Sequence, residues 1–264
     1  MENVRFHGSS PYLTMVVHGG PGAPGTMAPV AEVISEKMGV LEPFQTRTTI
    51  RGLIDELGDV IEAYGSPPMT IIGHSWGAWL SLIFASLNPS VVEKLIIIGS
   101  GPLEGSYCKN MMETRMGRLG QDERTDAARI LSQLEIAGAD DKGDLLSEFG
   151  RLMSKADSYD AVEHGEDAIS CDYDAFRNVW REAEKMRNSG KLLELAGSVL
   201  CPVVAIHGDH DTHDPEGVRI PLSRRLMDFK FILLERCGHE PWYEKHAKER
   251  FYAILMQELG SKRH

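Results

Sequence analysis

The pentapeptide Gly73-His74-Ser75-Trp76-Gly77 stands between an apolar run, Met69-Thr70-Ile71-Ile72, and an apolar stretch of helical pattern over residues 76–87 that stops before Pro89. G-x-S-x-G alone is a weak signal, because Gly and Ser are common. Between a buried strand and a buried helix it demands a sharp strand-to-helix turn. The two glycines let the flanking backbone segments approach closely, and the serine at the apex is held in a strained conformation with its hydroxyl clear of the sheet. The helix N-terminus beneath it favours developing negative charge.

The rest of the chain repeats this strand–helix rhythm. Residues 12–17 (YLTMVV) read as a buried strand ending in His18-Gly19-Gly20-Pro21-Gly22. Ile50, Leu53, Ile54, Leu57, Val60 and Ile61 recur at helical spacing across 48–64. Further strands are expected at 69–72, 94–99, 203–207 and 231–234, with a closing helix over 241–259. Continuous apolar strands alternating with helices imply an α/β fold: a mostly parallel central sheet flanked by helices. Residues 104–196 break the rhythm, with helical stretches at 122–136 and 173–186, an irregular piece around 138–143 and no convincing strand. The expected organisation is a core of residues 1–103 and 197–264, with a helical cap of residues 104–196 inserted between strands.

A serine nucleophile needs a base and a group that orients the base. After the strand at 203–207 comes Gly208-Asp209-His210-Asp211, and after 231–234 comes Cys237-Gly238-His239-Glu240. Both lie just past the C-terminal ends of strands, where open α/β sheets bind ligands. The order Ser75, Asp211, His239 suits a nucleophile, an orienting acid and a base. Asp209 reads as a turn residue and Asp214 as a pre-proline loop residue. The oxyanion would be met by the N–H groups of Trp76 and Gly20. Trp76 is also a candidate pocket wall, and Trp79, one turn on, a core residue. His207, His210 and His213 invite a metal reading, but neither H-E-x-x-H nor a second cluster accompanies them, so no metal and no cofactor is expected.

The chain carries 28 basic and 39 acidic side chains, a net charge of −11, which argues against nucleic-acid and anionic-membrane partners. Residues 104–196 hold 20 acids and 13 bases, so the cap carries most of the excess. Four widely spaced cysteines (Cys108, Cys171, Cys201, Cys237) suggest neither a disulfide framework nor a zinc site. The first residues show no signal-peptide pattern, and no apolar run approaches the ~20 residues of a spanning helix, so a cytoplasmic location is expected.

Taken together, HGGPG, GHSWG, the inserted segment, GDHD and GHE resemble the α/β-hydrolases, and among them the proline iminopeptidase subfamily is the most similar. The resemblance covers about residues 10–103 and 197–264. It implies Ser75, Asp211 and His239 as catalytic residues, Gly20 and Trp76 as oxyanion donors, and an acyl-enzyme mechanism on a short peptide or small molecule. A carboxylesterase or a C–C bond hydrolase is the alternative. In the subfamily, cap glutamates hold a substrate's free amino terminus; Glu104, Glu135 and Glu182 are acids of this cap, and Glu104 is the candidate for substrate binding. The family's N-terminal hairpin is expected to be shortened or missing, and its D-x-R-G-x-G-x-S segment is absent from residues 39–49, which read GVLEPFQTRTT.

Overall fold

A computed structural model of the protein describes residues 3–22, 24–136, 142–163 and 173–260. In chain order the elements are β1 (Val4–His7), β2 (Tyr12–Val17), α1 (Ala28–Ser35), β3 (Gly39–Pro43), α2 (Ile50–Tyr64), β4 (Gly65–His74), α3 (Trp76–Leu87) and β5 (Val92–Ile98). There follow α4 (Met111–Arg118), α5 (Gln121–Glu135), α6 (Lys142–Asp157), α7 (Tyr173–Asn188) and α8 (Lys191–Ala196), and then β6 (Val203–Gly208), α9 (Glu216–Ser223), β7 (Phe229–Leu234) and α10 (Lys248–Gly260). The seven strands form one sheet in the order β1-β3-β2-β4-β5-β6-β7. β1 runs antiparallel to β3, and the other neighbours are parallel.

The two-residue period of the strands divides the core. Met15, Ile71, Leu95, Ile97 and Ala205 face one side, with α2, α3, α8 and α9 packed over them. Val16, Ile72, Ile96, Ile98 and Ile206 face the other, under α1 and α10. Because both faces are covered, the central strands read as unbroken apolar runs. α3 is buried along its whole first ten residues, which is why its sequence lacks a polar stripe.

The strand expected at 69–72 is the inner half of a ten-residue strand, β4. Its outer half carries Pro67 and Pro68, both exposed, which masked it in the sequence. The helix expected from 48 begins at Ile50, because Thr49 caps it: the Thr49 side chain accepts the Gly52 N–H at 3.1 Å. The closing helix begins at Lys248 rather than 241, and residues 241–247 form turns. Among the described residues before β2 there is one strand, β1. Between β5 and β6 the described residues form helices and no named strand; their one bridge joins Ala161 to Glu244. α5 and α6 share a small apolar cluster of their own, Leu119, Ala127, Met153 and Ala156. Most of the irregular piece expected at 138–143, and Cys171, lie outside the described residues.

Candidate active site

Ser75 sits at φ 54° and ψ −117°, between the end of β4 and the start of α3. A non-glycine residue in that region is strained, and here the surroundings enforce it. The Ser75 N–H donates to the Ile98 carbonyl at 2.9 Å, while its own carbonyl accepts the Ala78 N–H at 3.1 Å. A Cβ at Gly77 would collide with the carbonyls of Val17 and His18, and one at Gly73 with the Gly77 carbonyl. The glycines of the pentapeptide are therefore there for closeness: α3 begins directly against the end of β2.

That closeness brings the His18–Gly22 loop to the serine. A Cβ on Gly19 would lie 2.9 Å from His74 Nδ1 and 3.0 Å from Ser75 Cβ. Gly20, the next residue, has φ +48°, open to glycine at little cost. Trp76 follows the serine as the first residue of α3. Its ring is 2% exposed and its indole N–H donates to Gln45 Oε1 at 2.8 Å, so it presents almost no free surface to a ligand. Trp79 is a core residue, donating to the Gly101 carbonyl at 2.9 Å and stacking on Trp180.

Asp211 and His239 meet in the next pair of loops. His239 Nδ1 and Asp211 Oδ2 are 2.7 Å apart. The His239 ring lies against Gly99, where a Cβ would be 3.0 Å from Nδ1; Gly99 follows the Ile98 that holds the serine N–H. His74, inside the pentapeptide, places Nε2 3.2 Å from the His239 carbonyl, with the two rings 4.7 Å apart. Among the described residues no hydrogen bond reaches the Ser75 hydroxyl, leaving it available to a ligand.

The electrostatics separate acid from base. Burial opposes ionisation of Asp211, but His239 and His213 together hold its carboxyl well below the usual range. Burial likewise opposes the His239 cation, and the Asp211 carboxylate outweighs it, so the His239 pKa is raised. Burial pushes His74 well down, and His207 and His213 down as well.

His213 is a partner the sequence did not single out for this role. Its N–H and its Nδ1 both reach Asp211 Oδ1 at 2.9 Å, and its ring stacks on His239 at 4.6 Å. The spacing of His207, His210 and His213 does not bring all three together: His207 Nε2 lies 3.4 Å from Asp211 Oδ2 and His213 Nδ1 2.9 Å from Oδ1, while His210 stands apart. His207 turns Nε2 to the His213 carbonyl at 2.9 Å, and His210 packs its ring against Tyr159. The group that could offer ligand atoms to a metal is instead Asp211, His213 and His239, where both imidazole Nδ1 atoms already face the carboxylate. Asp209 accepts the Cys237 N–H at 3.1 Å and Asp214 the Glu216 N–H at 2.9 Å, as turn residues do.

The acids of the insertion scatter. Glu182 accepts the Ile50 N–H at 3.0 Å and so serves the start of α2. Glu135 is exposed at the end of α5. Glu104 is half-buried in the turn after β5, and among the described residues no hydrogen bond or ion pair ties its side chain to Ser75, Asp211 or His239.

Three further acids, which the sequence did not mark, support the loops. Asp157 takes both nitrogens of Arg115, at 2.8 and 2.6 Å, and the Thr212 hydroxyl. Glu244 is 1% exposed and accepts the N–H groups of Tyr159, Asp160 and Gly238 at 2.7, 2.8 and 2.8 Å. Glu56 accepts the N–H groups of Thr46 and Arg47 below the Gln45 loop. The partners of Asp157 lie 42 and 55 residues away and two of those of Glu244 84 and 85, so only tertiary structure joins them; those of Glu56 lie nine and ten residues back, across the start of α2.

The model of the alpha/beta hydrolase family matches residues 15–254. The chain is 22% identical over 281 residues to a proline iminopeptidase of Heyndrickxia coagulans, covering 96% of this chain and 92% of that one. It is 23% identical over 202 residues to a pimeloyl-[acyl-carrier protein] methyl ester esterase of Nitrosospira multiformis, covering 72% and 69%. The fold is similar to that of a 2-hydroxy-6-oxo-6-phenylhexa-2,4-dienoate hydrolase of Rhodococcus, with a TM-score of 0.64, 17% identity, and 98% and 94% of the two chains covered. No helix among the described residues is long and apolar enough to cross a membrane.

Proposed function

The chain belongs to the α/β-hydrolase family, and we propose that it is a serine hydrolase working through an acyl-enzyme. What supports this reading is a strained Ser75 whose N–H bonds to Ile98, together with an Asp211–His239 pair whose imidazole lies against the next residue, Gly99. His239 takes the Ser75 proton as the hydroxyl attacks a carbonyl, and then returns it to the leaving group. Water releases the acyl group with His239 again as base. Asp211 orients the imidazole and stabilises its cation. The N–H groups of Gly20 and Trp76 receive the oxyanion, a role worth about 3 kcal/mol per donor in other enzymes. The insertion 104–196 serves as the cap that selects the substrate. No cofactor enters this chemistry.

The substrate is a small molecule or short peptide. A peptide's free amino terminus needs unspent carboxylates above the serine. Glu182, Asp157 and Glu244 are committed to other partners, which leaves Glu104 as the one half-buried acid among those named above to meet such a terminus; this scarcity favours an ester over a proline iminopeptidase-like substrate. A panel of p-nitrophenyl acyl esters against aminoacyl-β-naphthylamides separates the two, with turnover of the esters expected. A fluorophosphonate probe should label the protein at Ser75, and Ser75→Ala should abolish both labelling and turnover. Full turnover in Ser75→Ala would sink the reading.

A further inference from the structure

We propose that Gln45 is a positioning residue that holds together the two halves of the oxyanion hole; the proposal rests on the serine-hydrolase reading above. Gln45 lies in the loop after β3, where the family's D-x-R-G-x-G-x-S segment is absent. It is 3% exposed and has φ 55°, a conformation that a residue other than glycine adopts only under constraint. Its Nε2 donates to the His18 carbonyl at 2.9 Å, and its Oε1 accepts the Trp76 indole N–H at 2.8 Å. An indole N–H can only donate and a carbonyl can only accept, so the amide has one orientation.

The two residues it joins border the two proposed oxyanion donors. His18 leads into Gly19 and Gly20; Trp76 supplies the donor N–H next to the nucleophile. One planar amide thus sets the distance between the end of β2 and the start of α3 on the side of the loop. The strain at Gln45 is held by its successors. Glu56, itself 2% exposed, accepts the Thr46 N–H at 2.9 Å, the Thr46 hydroxyl at 2.8 Å and the Arg47 N–H at 3.3 Å. Asn3 donates to the same carboxylate at 2.8 Å. A side chain needed only to fill space would require neither polar end, nor a strained backbone pinned by a buried carboxylate.

The test compares Gln45→Met, which keeps the volume and removes both hydrogen bonds, with Trp76→Phe, which removes the indole donor, and with the double variant. Gln45→Glu, which keeps the acceptor for Trp76 and turns a carboxylate oxygen toward the His18 carbonyl, is the conservative control. The readouts are p-nitrophenyl acetate turnover, the inhibition constant of an aryl trifluoromethyl ketone that forms a tetrahedral adduct on the serine, and the melting temperature. Gln45→Met and Trp76→Phe should each lower kcat about 10- to 100-fold and weaken the ketone in step. KM should stay within about twofold, because the ground-state carbonyl gains little from an oxyanion hole. The double variant should be no worse than the poorer single one, since one bridge is cut in both. Should Gln45→Met fail to fold, Trp76→Phe and Gln45→Glu carry the same comparison.

Unchanged kcat in a folded variant, a loss confined to KM, or losses that multiply in the double variant would each overturn the proposal. The two readings can be told apart. If the unaltered protein takes no fluorophosphonate at Ser75, the serine-hydrolase reading has failed; if it does and kcat in Gln45→Met is undiminished, only the role of Gln45 has.

Discussion

The main-chain carbonyl of Asp157 accepts the main-chain N–H of His239 at 3.0 Å. This bond joins the last residue of α6, inside the insertion, to the proposed base. Around it the same two segments are stitched repeatedly. Lys245 N–H donates to the Asp160 carbonyl, Val162 N–H to the Tyr243 carbonyl, and Ser154 Oγ to Glu240 at 2.9 Å. The end of the insertion at 154–162 and the loop that carries His239 therefore form one unit, and whatever shifts Asp157 shifts the base.

Arg115 on α4 is what holds Asp157. Asp157 is buried and Arg115 largely so, at 4% and 12% side-chain exposure, and the pair is bidentate. Removing the cation leaves a buried carboxylate with the Thr212 hydroxyl as its remaining side-chain hydrogen bond among the described residues and with the charge of Arg118 as partial compensation. Arg115→Met should cost about 3–5 kcal/mol of stability, read from urea unfolding. The double variant Arg115→Met/Asp157→Leu should recover part of the loss, because it removes the stranded charge. An Arg115→Met protein as stable as its parent would show that the pair does not clamp the loop.

The part of this site that was legible in the sequence is the part written locally. Ser75, Asp211 and His239 each follow a strand within a few residues, so that the strand, the turn chemistry and the candidate side chain share one short window. Gln45 and Asp157 share no window with their partners, nor does Glu244 with those in the insertion: Gln45 is 27 residues from His18 and 31 from Trp76, Glu244 is 84 from Asp160, and Asp157 is 55 from Thr212. A glutamine at positive φ has no signature of its own, because the strain is imposed from outside. β1 and β3 escaped notice for a related reason. Each has only four or five residues, interrupted by Arg5, His7 and Glu42, which pair across the β1–β3 seam: His7 Nε2 and Arg5 Nη1 both approach Glu42 Oε2, at 2.9 and 3.4 Å.

Glu244 makes a second prediction about the base-bearing loop. Its carboxylate accepts three backbone N–H groups, two from the insertion and Gly238 next to His239. Glutamine has the same shape, but one of its two heads donates, so at least one buried N–H would face another donor. Bonds to an ionised acceptor are among the stronger ones, and Glu244→Gln should lose about 3 kcal/mol. Hydrogen exchange should quicken at Tyr159, Asp160 and Gly238 together. Faster exchange at only one of them would mean that the carboxylate does not act as a common anchor.

The acid limb of activity follows from His239. The imidazole must be neutral to accept the serine proton, and the Asp211 carboxylate raises its pKa against the effect of burial. The limb of kcat/KM should therefore have its midpoint above the ordinary histidine value of about 6.5. Asp211→Asn removes the carboxylate; the midpoint should drop, and turnover should fall by up to about 10⁴-fold as the tautomer is lost. A midpoint below 6.5 in the parent would contradict the ion pair.

Acid should also weaken the fold before any carboxylate titrates. His18, His74 and His207 are at most 4% exposed, and burial lowers the pKa of each. Their unfolded values lie near 6.5. Below that pH the unfolded chain binds protons that the native state refuses, so stability must fall with falling pH, at up to about 1.4 kcal/mol per pH unit for each histidine. His239 acts in the opposite sense. Its raised pKa contributes stability that is fully present below about 6.5 and is lost as pH rises through the folded value, so it offsets one of the histidines held low, a group that also includes His213 and His210. Asp211, held low, keeps its contribution until the pH falls toward its folded value, well below this window. The net expectation is a decline in urea midpoint from pH 7 to pH 5. His74→Leu should make that decline shallower, even though it loses the bond to the His239 carbonyl and starts from a lower stability. A midpoint that holds constant or rises over that interval would show that these histidines take up protons inside the fold.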